Sequence, residues 1–204
     1  MIKMHTLVLG PLQANCYILH EADSKTCCVI DPGDSPARVL TWVSDLGLKI
    51  DSILLTHGHL DHVGAAKAIS EATGCQLWMH QGDYSMASTP MNNYLYPLHD
   101  TAFPMVDFCE DGQQLSAGGL TFTVLSTPGH SWGSVCYLCG EHLFTGDTLF
   151  AGGCGRTDLS GGDWATILHS LNRLAAIEAD LLVHPGHGES TTLAEEKQYN
   201  PYLR

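Results

Sequence analysis

The chain is poor in basic residues. Its 204 residues include nine Lys and Arg against 22 Asp and Glu, which gives a formal net charge of −13. A surface of this sign repels phosphate backbones, so we expect no nucleic-acid partner. Metal ions held by acidic residues would make the loaded protein less negative.

Long apolar runs are also missing. No window approaches the roughly 18 apolar residues of a membrane-spanning helix. The N-terminal MIKMHTLVLG lacks the apolar core of a signal peptide. We therefore expect no membrane association and a cytoplasmic location. A hydrophobic content of 44% with a charged fraction of 15% excludes a disordered chain and is typical of a globular one.

Cysteine spacing gives no zinc ribbon. The single CxxC, from Cys136 to Cys139, lies in the strand-like run SVCYLC. Positions i and i+3 of a strand face opposite sides, and no second CxxC is present. Without a signal peptide a disulfide framework is not expected, so the eight cysteines are predicted to be buried, reduced thiols.

Hydrophobic periodicity predicts an α+β chain of mixed sheets covered by helices on the outside. The residues before Asp31 form a β meander, and SPARVLTWVSDLG forms a helix with Ser35 as its cap and Gly47 at its end. VGAAKAISEATG, DWATILHSLNRLAAI and TLAEEKQYN are further predicted helices, and DSILLT, QLWMH, LTFTVLST, SVCYLC, HLFTG and DLLVHPG are predicted strands. Residues 81–110 are predicted to be a short helix followed by a long surface insertion.

Four metal-type groups crowd residues 56–62, THGHLDH, directly after the apolar run Ile53–Leu55. His57 and His59 alternate onto one side of an extended segment, and Asp61 and His62 follow at the start of a helix. Burying these groups without partners would be costly, so the stretch predicts a metal site.

Three more ligand-type residues follow later strands. They are His130 in STPGHS, Asp147 in FTGDT and His187 in HPGHGES, each flanked by glycine, which lets the backbone approach a bound group. A lone histidine at a strand end is more often structural than a ligand. The whole set numbers seven, which is too many for one tetrahedral ion but fits two ions that share a carboxylate at roughly 3.5–4 Å separation.

The ordered set resembles the metallo-β-lactamase superfamily over nearly the whole chain: Asp31, His57, His59, Asp61, His62, His130, Asp147 and His187. The phrases TPGHSWGSV, FTGDTLFAGGCGRTD, HPGHGEST and the terminal NPYL resemble its short bacterial glyoxalase II-like hydrolases.

This resemblance implies an αββα sandwich of two mixed sheets flanked by helices, built as one domain over residues 1–204. It implies that His57, His59 and His130 hold one divalent ion, that Asp61, His62 and His187 hold a second, and that Asp147 bridges them. Asp31 would orient ligands without binding metal. Zinc is the expected metal, with iron and manganese as alternatives.

The resemblance also implies a reaction. Asp61 and Asp147 would be the catalytic residues, a hydroxide bridging the two ions would attack a carbonyl, and no serine nucleophile is needed. The implied substrate is a small-molecule thioester, S-D-lactoylglutathione or a similar hydroxyacyl thioester. Arg156 stands where the family has a basic residue near the glutathione carboxylate, but a salt bridge with Asp158 explains it equally well.

One departure from the family pattern and several alternatives remain. The sequence ends at Arg204, so we expect no C-terminal helical glutathione-binding domain, and Tyr94 and Tyr96 of the insertion either replace that wall or only pack. A persulfide dioxygenase would use a single iron on the same scaffold, and a broad-specificity metallo-hydrolase is a further alternative. A β-lactamase, a nuclease and a non-catalytic protein are disfavoured, and the sequence leaves the oligomeric state open.

Overall fold

The computed structural model describes residues 1–88 and 103–203. Tyr94 and Tyr96, for which the sequence left open either a substrate wall or simple packing, lie outside the described residues. Within the described ranges, no helix is both long and apolar enough to cross a membrane.

The first half of the chain builds one six-stranded sheet. Its strands lie in chain order: β1 (Ile2–Leu9), β2 (Ala14–Glu21), β3 (Thr26–Ile30), β4 (Lys49–Leu54), β5 (Gln76–His80) and β6 (Asp107–Cys109). Strands β1 to β3 pair antiparallel, and β3 to β6 pair parallel. The carboxyl ends of β3 and β4 therefore lie at the same edge.

The second half builds another six-stranded sheet. Its strands are β7 (Gln114–Ala117), β8 (Leu120–Ser126), β9 (Val135–Cys139), β10 (His142–Gly146), β13 (Leu182–Pro185) and β14 (Thr191–Thr192), in the order β14-β13-β10-β9-β8-β7. Strands β10 and β13 are parallel, and β8 runs with them because β9 is antiparallel to both of its neighbours. A small hairpin pairs β11 (Leu149–Phe150) with β12 (Gly153–Cys154).

Three clusters of buried apolar side chains lie between the successive layers of helices and sheets. The helices are α1 (Pro36–Asp45), α2 (Leu60–Val63), α3 (Ala66–Thr73), α4 (Gln81–Ala87), α5 (Trp164–Ala175) and α6 (Leu193–Tyr199). The outer face of the first sheet packs on α1, α2 and α3, and the outer face of the second sheet packs on α5 and α6. Between the sheets lie the fully buried rings of Tyr137, Phe122 and Phe144. The predicted αββα sandwich is confirmed.

Strand alternation explains this layering. In β2, Cys16 and Ile18 belong to the outer cluster, while Tyr17 and Leu19 belong to the cluster between the sheets. The CxxC of β9 divides in the same way, with Cys136 in the outer cluster of the second sheet and Cys139 between the sheets. All eight cysteines are free, and six of them are buried as predicted, whereas Cys75 and Cys154 are only partly buried.

Three local predictions need correction. Ser35 precedes α1 but does not cap it with its side chain, because its backbone is left-handed at φ 53° and its hydroxyl donates to Asp34 at 2.6 Å. The single helix predicted from residue 63 is interrupted after Val63, since the Ala65 N–H donates to the Pro32 carbonyl at 2.9 Å. The segment 81–110, predicted to be a helix and an insertion, also contains strand β6.

Candidate metal centre

Five short segments of the chain come together at one site at the edge of the sandwich. They follow β3, β4, β8, β10 and β13, whose carboxyl ends share one edge of the sandwich. Each sheet holds its strands rigidly, so the short segments after them have little freedom to move their side chains apart. All seven predicted ligand residues meet here, and Asp31 lies directly behind them.

Three imidazoles form what we call the first cluster: His57, His59 and His130. Their ring centroids lie 4.6–4.8 Å apart, and their candidate ligand nitrogens lie within 4.8 Å of one another. The His130 Nε2 and His59 Nδ1 atoms are 2.9 Å apart. Nitrogen atoms converging in this way match the donor set of a zinc or iron ion.

A second cluster lies beside the first and consists of Asp61, His62 and His187. The His187 Nε2 atom is 3.2 Å from Asp61 Oδ2, and His62 Nε2 is 3.6 Å from the same oxygen. The two imidazole Nε2 atoms are 3.4 Å apart. This mixture of nitrogen and oxygen atoms suits a divalent transition metal.

Asp147 lies between the clusters. Its Oδ1 atom is 3.4 Å from His62 Nε2, and its Oδ2 atom is 3.5 Å from His130 Nε2 and 3.6 Å from His187 Nε2. One carboxylate therefore faces a member of each cluster. This is the position that the prediction of a bridging ligand requires, although ligand roles themselves stay predictions.

Two buried atoms at the site have no hydrogen-bond partner among the described residues, His57 Nε2 and Asp147 Oδ1. Leaving a polar atom buried and unpaired costs about 1–3 kcal/mol. A cation between the clusters would satisfy both atoms, so the residues present fit a metal centre.

Hydrogen bonds behind the clusters fix which nitrogen faces the site. The Thr56 hydroxyl donates to Asp31 Oδ2 at 2.6 Å, so its oxygen accepts from His57 Nδ1 at 3.0 Å. His62 Nδ1 donates to Asp31 Oδ2 at 2.9 Å, and His130 Nδ1 donates to a backbone carbonyl at 2.7 Å. Each of these three imidazoles therefore turns its Nε2 atom towards the site.

Asp31 is placed to orient ligands. Besides these two contacts, its Oδ1 atom accepts the Thr56 N–H at 2.8 Å. It is 2% exposed and has a left-handed backbone, with φ 50°. Such a conformation is uncommon outside glycine, and here three hydrogen bonds hold it in place.

The two clusters differ in proton affinity. Burial and neighbouring imidazoles hold the pKa of His57 well below its ordinary value and lower the pKa of His59 to about 3. Burial also acts to lower the pKa of His62, but Asp147 and two further carboxylates outweigh it and raise this pKa to about 10. In the metal-free protein at neutral pH, the first two imidazoles carry free lone pairs, whereas His62 holds a proton that a cation must displace.

The His187 loop is held by the opposite sheet. Asn15 donates three hydrogen bonds to it: its backbone N–H donates to the Gly186 carbonyl at 2.7 Å, and its side-chain amide donates to the carbonyls of Pro185 and Gly188, both at 2.9 Å. The Tyr17 hydroxyl donates to the Pro185 carbonyl at 2.7 Å. Strand β2 thus fixes the loop that brings His187 into the second cluster.

Arg156 approaches the site through its backbone. Its carbonyl is the acceptor for His130 Nδ1, while its guanidinium binds both carboxylate oxygens of Asp158 at 2.6 and 2.7 Å. The salt bridge that the sequence offered as one explanation is therefore present. Substrate binding by Arg156 stays a prediction, and the pair is largely exposed.

Residues 129–133, GHSWG, match the G-x-S-x-G spacing of serine hydrolases. The structure gives Ser131 a different role. It is fully buried, and its hydroxyl donates to Asp83 at 2.6 Å and lies 2.6 Å from Ser134 Oγ. A serine engaged in this way is not placed as a nucleophile, which agrees with the expectation that none is needed.

Sequence reasoning missed Asp83. This residue is fully buried in the first turn of α4 and accepts hydrogen bonds from the segments that carry His57, His59 and His130. A signal was available: like Asp61, Asp83 lies in the first turn of a helix that follows a strand of the first sheet.

Comparison with known proteins agrees with this geometry. A family model described as the metallo-beta-lactamase superfamily matches residues 9–187. Hydroxyacylglutathione hydrolase GloC of Haemophilus influenzae is 36% identical over 211 aligned residues, which cover 99% of this chain and 98% of that protein.

Two solved structures are also similar. BLEG-1 B3 metallo-beta-lactamase has a TM-score of 0.90 at 35% identity, with 98% of this chain and 99% of that chain covered. TTHA1623 in a di-iron-bound form has a TM-score of 0.87 at 37% identity, with 98% and 100% covered. With two metal-type clusters at the shared edge of an αββα sandwich, this chain belongs to the metallo-β-lactamase superfamily.

Proposed function

We propose that this chain is a binuclear metal-dependent hydrolase of a thioester, S-D-lactoylglutathione or a similar hydroxyacyl thioester. The observation that carries the proposal is Asp147, which faces both clusters and leaves Oδ1 buried and unpaired beside them. A site for one ion would need neither the second cluster nor a carboxylate between the two.

The first cluster would hold one ion and the second cluster another, with Asp147 as their common ligand. Zinc is the first candidate, and the di-iron form of the similar protein TTHA1623 supports iron as the alternative. When bound, such ions supply Lewis-acid polarisation of a carbonyl and activation of water near neutral pH.

The chain's own residues prepare the site for this chemistry. Asp31 and Thr56 hold the Nδ1–H tautomers of His62 and His57, so that both Nε2 atoms face inward without rearrangement. Burial acts to raise the pKa of Asp61, but a hydrogen bond from His187 and the charges of His62 and His187 lower it, so the carboxylate stays ionised. The site needs little reorganisation during reaction.

The choice of a thioester rests on similarity to GloC, whose name gives hydroxyacylglutathione as its substrate. Features of the site border agree with it. Trp132, two residues after His130, is 57% exposed and offers apolar surface beside the first cluster. Arg156 is the basic group of the segment that follows Asp147, and a glutathione carboxylate would compete with Asp158 for its guanidinium.

Two other activities need direct comparison. A persulfide dioxygenase with a single iron would leave the second cluster without a role. β-Lactam hydrolysis is favoured only by the similarity to BLEG-1, named a B3 metallo-β-lactamase. Nitrocefin and glutathione persulfide, the latter with an oxygen electrode, therefore belong in the same assay panel.

The test is purification without chelator, metal analysis, and assay of S-D-lactoylglutathione beside other thioesters. We expect about two metal ions per chain and thioester cleavage that His57→Ala and Asp147→Ala abolish. One iron per chain with oxygen uptake on persulfide, and no thioester cleavage, would contradict the proposal. Cleavage of nitrocefin alone would contradict the choice of substrate but not the metal centre.

A further inference from the structure

Asp83 is a buried acidic residue outside the two clusters. It lies in the first turn of α4, and its side chain accepts three hydrogen bonds from uncharged donors. These donors are the Gly58 N–H at 2.8 Å, the Gly133 N–H at 2.6 Å and the Ser131 hydroxyl at 2.6 Å. Burying a carboxyl group is unfavourable. The structural effect of this burial is that Asp83 holds its three donors in place.

These donors have one property in common. Gly58 stands between His57 and His59, and Ser131 directly follows His130. A single carboxyl group therefore joins the two chain segments that carry the whole first cluster. None of its three bonds comes from Asp61, His62 or His187 or from the loop that carries His187.

The contact is also close in space. A Cβ atom at Gly58 would lie 2.7 Å from the Asp83 carbonyl oxygen, and one at Gly133 would lie 2.7 Å from the Asp83 nitrogen. Neither glycine has a left-handed backbone, so space and not conformation requires glycine at these positions. The start of α4 is packed between the two ligand segments, with its Gly82 against Gly133.

A serine pair completes the arrangement. The Ser131 hydroxyl gives its only proton to Asp83, so it accepts from the Ser134 hydroxyl at 2.6 Å. Ser134 Oγ in turn accepts the Ser131 N–H at 3.2 Å. This closed set of hydrogen bonds fixes the backbone directly after His130.

We propose that Asp83 is a positioning residue of the first cluster, which sets the separation of the His57–His59 segment from the His130 segment and so the affinity for the first metal ion. This inference rests on the proposed binuclear function and adds a residue to it. Asp83 acts through two backbone N–H groups and the Ser131 hydroxyl, and none of these three hydrogen bonds goes to an imidazole of the cluster.

The change Asp83→Asn turns one acceptor oxygen into an NH₂ donor that faces an N–H or O–H donor. At least one of the three bonds is lost and replaced by repulsion. Loss of a group that supports metal ligands typically weakens metal binding about 10- to 100-fold. We expect the affinity for the ion of the first cluster to fall by about this factor and the affinity for the ion of the second cluster to stay unchanged.

The experiment is titration of the metal-free chain with Co²⁺, followed by calorimetry and visible absorption. His59→Ala and His187→Ala identify the signals of the first and second cluster. The test variants are Asp83→Asn and Ser131→Ala, and the latter carries the test where Asp83→Asn does not fold. Asp51→Asn is the matched control: this carboxyl accepts the Gly118 N–H at 2.9 and 3.1 Å at the opposite end of β4 from His57.

A lower Co²⁺ affinity of the first cluster alone, with no such loss in Asp51→Asn, supports the inference. If both clusters lose Co²⁺ affinity equally, and in proportion to the fall in melting temperature of the metal-free variants, the inference is overturned. Asp83 would then stabilise the fold without a specific role at the first cluster. Unchanged affinity for both ions would also overturn it while leaving the binuclear function intact. A wild-type chain that binds no Co²⁺ would overturn both proposals.

Discussion

Gly186 is a position where adding a single methyl group should damage the metal centre. It lies between β13 and His187, and its N–H donates to the Gly146 carbonyl at 2.7 Å. A Cβ atom there would overlap Asp147 Oδ1 and lie 2.6 Å from His62 Cε1. The backbone of Gly186 is not left-handed, so Gly186→Ala acts through overlap and not through strain.

The size of the effect follows from these contacts. An ordinary contact of a Cβ atom begins near 3.4 Å, so Asp147 and His62 must each retreat by roughly 1 Å. A displacement of that size at a reacting site costs about 100-fold in rate. We expect the Gly186→Ala variant not to bind the ion of the second cluster and to cleave the thioester at least about 100-fold more slowly.

Gly188→Ala provides the control two residues away. No atom lies within 4 Å of a Cβ at Gly188, but its φ is +78°, so alanine there is strained without overlap. The strain costs about 1–2 kcal/mol and should lower the melting temperature by a few degrees while both ions remain. Metal analysis, turnover and thermal melts are measured on both variants. Two ions at wild-type affinity in Gly186→Ala would refute the reasoning.

Three further outcomes are expected. Asp158→Ala should free the Arg156 guanidinium and lower KM for S-D-lactoylglutathione about two- to fivefold relative to an uncharged thioester, whereas Arg156→Ala should raise this KM. Both values are measured by steady-state kinetics. If neither variant changes KM, Arg156 does not bind substrate. Removing both ions with a chelator from protein held at 100 times each dissociation constant should lower the free energy of unfolding by about 2.7 kcal/mol per ion, measured by denaturant titration, and an unchanged midpoint would mean that the folded chain held no metal. The metal-free protein should be most stable near pH 6.5. The pKa of His62 is raised to about 10 in the folded state, so its contribution is complete below its ordinary value and is lost as pH rises. The pKa of His59 is lowered to about 3, so its contribution is lost as pH falls from 6.5. Denaturant titrations from pH 4 to 10 that show no maximum near 6.5 would contradict these assignments.

The sequence was sufficient where function depends on local spacing. His57, His59, Asp61 and His62 lie within six positions, and the apolar run Ile53–Leu55 predicted the strand before them. The order of the predicted elements indicated mixed sheets covered by helices, and the resemblance to the superfamily implied the αββα layers. In these places neighbours in sequence are neighbours in space.

Prediction failed where the partner is a backbone group far along the chain. Asp83 binds N–H and O–H groups 25 to 50 residues away, and a backbone donor leaves no mark on the residue type that carries it. The interruption after Val63 has the same cause, because the Pro32 carbonyl competes for the Ala65 N–H. Ser35 has the residue type of a helix cap, but its hydroxyl bonds to its own neighbour, Asp34.

The attachment of the His187 loop to Asn15 has a consequence for how the chain matures on the ribosome. The residues of the first cluster and the partners of that loop in β2 have all been synthesised well before Pro185 to Gly188 appear. The chain is made at about 5–20 residues per second, so the early segments wait several seconds for the last one. We expect a nascent chain to acquire its ions in a fixed order, with the second ion bound only when the His187 loop has reached β2.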